Sequence, residues 1–224
     1  MILIANNDAR TYTKRPLQVL TLVFALGLSA CAPVVLGGAA MTGMVAADRR
    51  TAGTQLEDER IELIATNRLN ELLGERGHVN VTSFNRRVLI TGEVPTAQDR
   101  QRVEAAIAQI ENVRGVVNDL AVMPNASLGQ RSSDSWITGQ VRAGIVDARD
   151  LSSSAFKVVT ERGVVYLMGI VTQREAERVT EIARGVPGVA KVVRVFEIVS
   201  EDELRRLVPP PQPTPATAAP ASGG

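Results

Sequence analysis

The sequence predicts an α+β protein made of two tandem αββαβ modules, each a three-stranded mixed sheet covered by two helices. Three observations carry this. The chain repeats itself: aligned on Gly92 and Gly169, VNVTSFNRRVLITGEV matches FKVVTERGVVYLMGIV. Within each copy, two short runs alternate apolar and polar residues, the mark of half-buried strands. On either side of these runs, apolar residues recur at helical spacing.

The first copy spans 56–123 and the second 134–199, joined by a linker at 124–133. Each opens with a helix, whose buried face is Ile61, Ile64, Ala65, Leu69 and Leu72 in one copy and Ile137, Val141, Ile145 and Ala148 in the other. Two strands follow. Val79, Val81, Val88 and Ile90 share one face, as do Phe156, Val158, Val165 and Leu167. The turn between the strands is short enough for a tight hairpin, and Gly163 can supply a positive φ. Gly92 and Gly169 are expected to end strands, where a side chain would obstruct the turn into the next helix. That helix starts at a capping box, Thr172 to Glu175, or at the weaker Thr96 to Asp99. It buries Val103, Ile107 and Ile110, or Ala176, Val179 and Ala183. V-R-G-V at 113–116 matches V-P-G-V at 186–189. The match leaves four more residues between the two glycines in the first copy, so its second helix is expected to be about one turn longer. A Val-rich strand closes each module, parallel to its neighbour because a helix crosses over between them. A module of this size buries about 60 % of its unfolded surface, which is marginal alone. The two copies should therefore pack on each other.

The flanks differ in kind. Arg10, Lys14 and Arg15 precede an apolar run at 17–28. That run is too short to span a bilayer, which needs about 20 residues, and it suits a secretory signal. It ends in Leu28-Ser29-Ala30-Cys31, which resembles the lipobox of bacterial lipoproteins. The resemblance implies a signal peptide at 1–30, cleavage before Cys31, a diacylglycerol on the Cys31 sulfur and an acyl chain on its new amino group. The other reading is an ordinary signal with a chance cysteine. An exported chain with one cysteine has no disulfide partner for it, and lipidation accounts for that. Ala32 follows where an Asp would favour inner-membrane retention, so the outer membrane, facing the periplasm, is expected. Residues 31–55 are rich in Gly and Ala and read as a tether, and residues 200–224 as a Pro/Ala-rich disordered tail.

Composition narrows the function. A net charge of +1 gives no basis for wholesale nucleic-acid binding. One His and one Cys leave no transition-metal site and no Cys–His pair. His78 reads as a loop residue and Ser152-Ser153-Ser154 as a loop without a base. No Gly-rich phosphate motif is present. The expectation is no catalytic residue, no metal and no cofactor.

Alternating strands, a hairpin, V-x-L-x-G, a helix and a closing V-x-G-V-x-x-V resemble the BON domain. Two such copies behind a lipobox are similar to dual-BON outer-membrane lipoproteins. The segments at 48–59, 133–138 and 160–176 add to the likeness, which covers about 31–199. It implies a non-enzymatic protein that binds anionic phospholipid through its second BON domain and supports outer-membrane integrity. The alternative is a scaffold for an envelope protein partner, with incidental lipid contact.

Trp136 is the sharpest binding candidate. It is expected at the start of the second module's first helix, after Ser133 or Ser135 as N-cap, about 100° around from Ile137. An exposed indole there suits a membrane interface; alternatively it folds over the core or fills the gap between copies. Ile137, Gln140 (its i+4 neighbour) and Arg142 complete the expected phospholipid-binding set. Charge leans the same way. Residues 57–123 carry 8 Lys plus Arg against 11 Asp plus Glu, a net of −3, and residues 134–199 carry 9 against 8, a net of +1. Each cation near an anionic surface contributes about 1 kcal/mol.

Overall fold

The structure is a computed structural model, described here for residues 48–207. The expected signal peptide, Cys31, most of the expected tether and the expected tail beyond 207 lie outside the described residues. Among the described residues no helix is long and apolar enough to cross a membrane.

Module 1 consists of α1 (Ala52–Leu73), β1 (His78–Phe84), β2 (Arg87–Val94), α2 (Ala97–Ala108) and β3 (Gly115–Val122). Module 2 repeats it as α3 (Leu128–Asp147), β4 (Phe156–Glu161), β5 (Val164–Val171), α4 (Gln173–Arg184) and β6 (Lys191–Ile198), followed by a short helix α5 (Glu201–Leu207). Each sheet has its second strand in the middle. β1 and β2 are antiparallel, as are β4 and β5; the closing strands β3 and β6 run parallel to β2 and β5. The mixed α+β architecture predicted from the repeat is therefore present twice.

Both hairpins turn in two residues, with positive φ at Asn85 and Arg86 in one and at Arg162 and Gly163 in the other. This is the backbone of a type I′ turn, whose twist matches that of the strands. A carboxylate from each module's first helix holds the turn. Asp58 accepts from the Asn85 and Arg86 amides at 2.8 and 2.7 Å, and from the Ser83 hydroxyl at 2.7 Å. Asp134 accepts from the Arg162 and Gly163 amides, each at 2.8 Å. The repeat thus conserves a tertiary contact, helix to hairpin, as well as a strand pattern. Thr172 and Glu175 form the expected capping box, and Thr96 caps α2 through the Asp99 amide.

Three expectations are corrected. α2 and α4 have the same length, 12 residues each, so no extra helical turn exists. The strand register places Gly115 opposite Arg87, and Lys191 opposite Val164. Gly115 therefore corresponds to Lys191, and the positive-φ partner of Gly188 is Asn112. The two V-x-G-V runs look alike but occupy different places. Gly92 and Gly169 also do not end strands, because β2 and β5 continue to Val94 and Val171. Their space is taken by a neighbouring backbone: a Cβ on Gly92 would fall on the His78 carbonyl oxygen, and one on Gly169 would lie 2.5 Å from the Ala155 carbonyl oxygen. Finally, the folded body is larger than expected at both ends. Residues 48–55 are ordered into it, with Arg49 8 % exposed. At the other end α5 packs Leu204 on the body.

Each module has its own core between helices and sheet. In module 1 it centres on Ile61, Ala65, Val88, Ile90, Val103 and Ile107, and in module 2 on Ile137, Val141, Val165, Leu167, Val179 and Ala183. A third core lies between the modules. Phe84 and Leu89 of module 1 meet Tyr166, Met168, Ile170 and Val195 of module 2. The sheet faces turned away from the helices pack on each other, which explains why β5 is apolar along its whole length.

Gly92→Ala tests the close approach of β1 and β2. At φ +114 with a carbonyl in the way, any Cβ forces the strands apart. The expected loss is about 3 kcal/mol or more, read from urea unfolding.

Candidate functional site

The site candidates lie on α3 and along the seam between the modules. α3 starts earlier than expected. Ser127 is its N-cap, accepting from the Gln130 amide, so neither Ser133 nor Ser135 caps it. Nothing between 128 and 133 breaks a helix except one tolerated glycine, and the helix runs back into what read as linker. Trp136 consequently sits in mid-helix. Its side chain is 54 % exposed, and so it neither covers the core nor fills the gap between modules.

The outer side of α3 is unusual for a surface helix. Leu128 and Val146 are both largely exposed and lie about five turns apart on one line. Between them, near the same line, fall Ser132, Ser135, Gly139 and Ala143, all exposed. Trp136 stands about 80° to one side. No charged residue lies on the line of this ridge itself, and Arg142 borders it about 40° to the other side. Gln140 is exposed on Trp136's flank, and Arg142 on the other flank. Arg142 donates weakly to the Val158 carbonyl (3.4 Å) and stands at the rim of a cavity of about 180 Å³ with Ile145, Val146, Phe156 and Val158. Ile137 is corrected: at 2 % exposure it belongs to the module 2 core and packs against Gly188. Of the four residues expected together on a lipid face, Trp136, Gln140 and Arg142 are at the surface.

Ionic groups cluster along the seam, and sequence reading missed them. Arg49, from the segment before α1, reaches into module 2. It donates to both Glu175 oxygens at 2.9 and 2.7 Å and to the Ile170 carbonyl at 2.7 Å. Burial pushes the Glu175 carboxyl up, but the Arg49 guanidinium and the Thr172 amide and hydroxyl more than offset this, and the net shift is downward. Next to it, Arg50 pairs with Asp48 and Asp58 and lies 4.2 Å over the Phe84 ring.

Further along, Arg162 of module 2 donates to the Gly92 carbonyl and the Glu93 carboxylate of module 1, at 3.0 and 2.9 Å. Glu93 is wholly buried. Asn80 bridges back, donating to Glu161 at 3.0 Å, with the His78 ring 3.3 Å from its amide nitrogen. His78 is the first residue of β1 and not a loop residue. Burial raises the Glu161 carboxyl above the usual range, Glu93 adds to this, and Asn80, His78 and Arg162 offset only part. Tyr166, buried in the third core, donates to Asp119 at 2.5 Å. Burial and that carboxylate hold its hydroxyl protonated far above the ordinary range. Among the described residues no group of His, Cys, Asp and Glu is placed to hold a metal ion.

The sequence profile of the BON domain matches residues 55–124 and 133–200. Outer membrane lipoprotein DolP of Haemophilus influenzae is 38 % identical over 190 residues, covering 83 % of this chain and 98 % of that protein. A 21 kDa hemolysin of Actinobacillus pleuropneumoniae is 33 % identical over 154 residues, 68 % of this chain and 79 % of the relative. Osmotically-inducible protein Y of Escherichia coli is 39 % identical over 66 residues, 29 % and 33 % of the two chains.

The two seam carboxylates titrate with opposite signs. Glu175 lies below its ordinary value of 4.5 when folded, so its pair stabilises above that pH and is lost as pH falls through the folded value. Arg49→Met should cost about 3 kcal/mol at neutral pH, and the gap to the native chain should narrow on acidification to about pH 3. Glu161 lies above its ordinary value when folded. Its contribution is most favourable when protonated and declines as pH rises through the folded value. Glu161→Gln should therefore raise the midpoint of thermal unfolding at neutral pH. Calorimetry across the pH range reads both.

Proposed function

The chain belongs to the BON domain family, and from that premise we propose that it is a non-enzymatic, outer-membrane-associated protein that binds anionic phospholipid through its second module. The observation that carries the reading is the crest of α3. An uncharged ridge with an indole on one flank and Arg142 on the other can enter the head-group layer without burying a charge. Tryptophan suits that layer because its body is apolar and its N–H stays hydrated. Arg142 then lies within reach of lipid phosphates, and module 2 carries four more units of positive charge than module 1, from −3 to +1. An acyl anchor at Cys31 would hold the site beside the bilayer, and two or more chains make such attachment nearly permanent. The name of the Haemophilus relative, a lipoprotein of the outer membrane, supports that anchor and its membrane; the periplasmic face is the orientation this reading assigns. Support of outer-membrane integrity is the cellular role this reading assigns.

A second reading rests on module 1. Leu56 and Leu63 are 67 % and 64 % exposed and lie two turns apart on one side of α1. Such a pair suits a protein partner in the envelope. Loss of one stoichiometric partner in pull-downs from cells carrying Leu56→Ser and Leu63→Ser would favour it.

Trp136→Ala is the direct test of the first reading. Binding to vesicles containing anionic phospholipid should weaken at least about tenfold, with thermal unfolding unchanged because the side chain touches no core. Unaltered vesicle binding would refute the assignment. Cys31→Ser should separately move the protein from the carbonate-washed membrane fraction to the soluble one.

A further inference from the structure

Where β1 of module 1 meets α3 and β4 of module 2, the seam opens into a cavity of about 150 Å³. Its wall is polar throughout, with Asn80 on one side and Arg131, Ser135, Thr138, Thr160 and Glu161 on the other. Most polar groups of the seam are already matched. Asp134 is occupied by the hairpin amides and Gln130, and the Thr138 hydroxyl donates to Thr160 at 2.8 Å.

Two charges are not matched. The Arg131 Nε is shut off from solvent and has no acceptor, and among the described residues its guanidinium enters no ion pair. Glu161 is 3 % exposed, and the neutral Asn80 amide is its hydrogen-bond donor. Arg162, the nearby cation, is committed to Glu93. Arg131 and Glu161 share one cavity yet do not bridge it to pair. Keeping a buried carboxylate apart from a half-buried guanidinium whose Nε has no acceptor is costly, and a molecule that brings the complementary pair offsets both costs.

We propose that this cavity binds a small zwitterion, an oxyanion joined to an ammonium, with the oxyanion on Arg131 and the ammonium on Glu161. The Ser135 hydroxyl, which donates to the Arg131 carbonyl oxygen, keeps lone pairs open to the cavity, and the His78 ring beside Asn80 completes the wall. The volume fits a head group or a free small molecule and excludes a whole lipid. The site meets the α3 ridge at Ser135 and extends from there to the side away from Trp136, through Arg131 and Thr138, where its wall is polar. Both modules contribute to it, so it exists only in the assembled two-module body.

The test uses the full chain in non-ionic detergent and three probes by calorimetry: phosphoethanolamine, inorganic phosphate and ethanolamine. Phosphoethanolamine should saturate one site per chain and bind at least about tenfold tighter than either half. Arg131→Gln should reduce it to the level of ethanolamine, and Glu161→Gln to the level of phosphate. Thermal unfolding checks that both variants fold, and Arg131→Lys replaces the first if it does not. A second arm offers neutral phosphatidylcholine vesicles with and without phosphatidylethanolamine. Vesicle binding gained with phosphatidylethanolamine and lost in both variants assigns a lipid head group, and saturation by the soluble probe alone assigns a free zwitterion; either supports the site. Inorganic phosphate binding as tightly as phosphoethanolamine, absence of saturable binding, or affinity unchanged in both variants would overturn it. None of these results bears on anionic vesicles and Trp136, so the two readings fail independently.

Discussion

Each sheet here is covered on one side by its own helices, which leaves the other side apolar and exposed unless something meets it. On β5 that other side is Tyr166, Met168 and Ile170, and what meets it is Phe84 and Leu89 of the first module. Small modules bury too little surface to be secure alone. Packing sheet on sheet gives both a second core at once. Most of the remaining structure follows from that requirement, because a buried face-to-face seam must also settle the polar groups along its rim.

The rim is settled by charges that cross it. Arg49 joins the segment before α1 to the start of α4, and Arg162 joins the second hairpin to the buried Glu93. These contacts fix how the modules sit, since a carboxylate buried without its partner costs more than the pair gains. They also tie the segment before α1 to module 2, although it leads directly into module 1. Glu161 is the exception. Its carboxyl is raised by burial and by Glu93, a departure from the matched pattern and the reason the neighbouring cavity stands out.

The outward surface of α3 follows the opposite logic. Its inner side is committed to the module core through Ile137, Val141 and Ile145. Its outer side carries few of the charges a solvent-facing helix usually has, with Arg142 and Asp147 the exposed ones. A ridge of this kind is stable in water only because its apolar residues are spaced among small ones. That spacing keeps Trp136, Leu128 and Val146 apart while leaving them available to a common surface.

Much was legible in the residues themselves. Period-two strands, helical spacing, the capping box at Thr172 and the repeat around Gly92 and Gly169 are local signals, set by backbone geometry within a few residues, and they define the αββαβ order. Helical spacing also put Trp136 off the line of Ile137, while its exposure was decided by the fold. What the residues could not assign were contacts between distant segments. The seam pairs Arg49 with Glu175 across 126 positions and Asn80 with Glu161 across 81, and no local pattern encodes such a meeting. For the same reason the resemblance of the two V-x-G-V runs misled: strand register, decided by pairing, places Gly115 with Lys191 and leaves Asn112 to match Gly188. The sequence determined the modules. Tertiary packing decided how they join, because burial of a second sheet face depends on a partner surface that only the folded chain supplies.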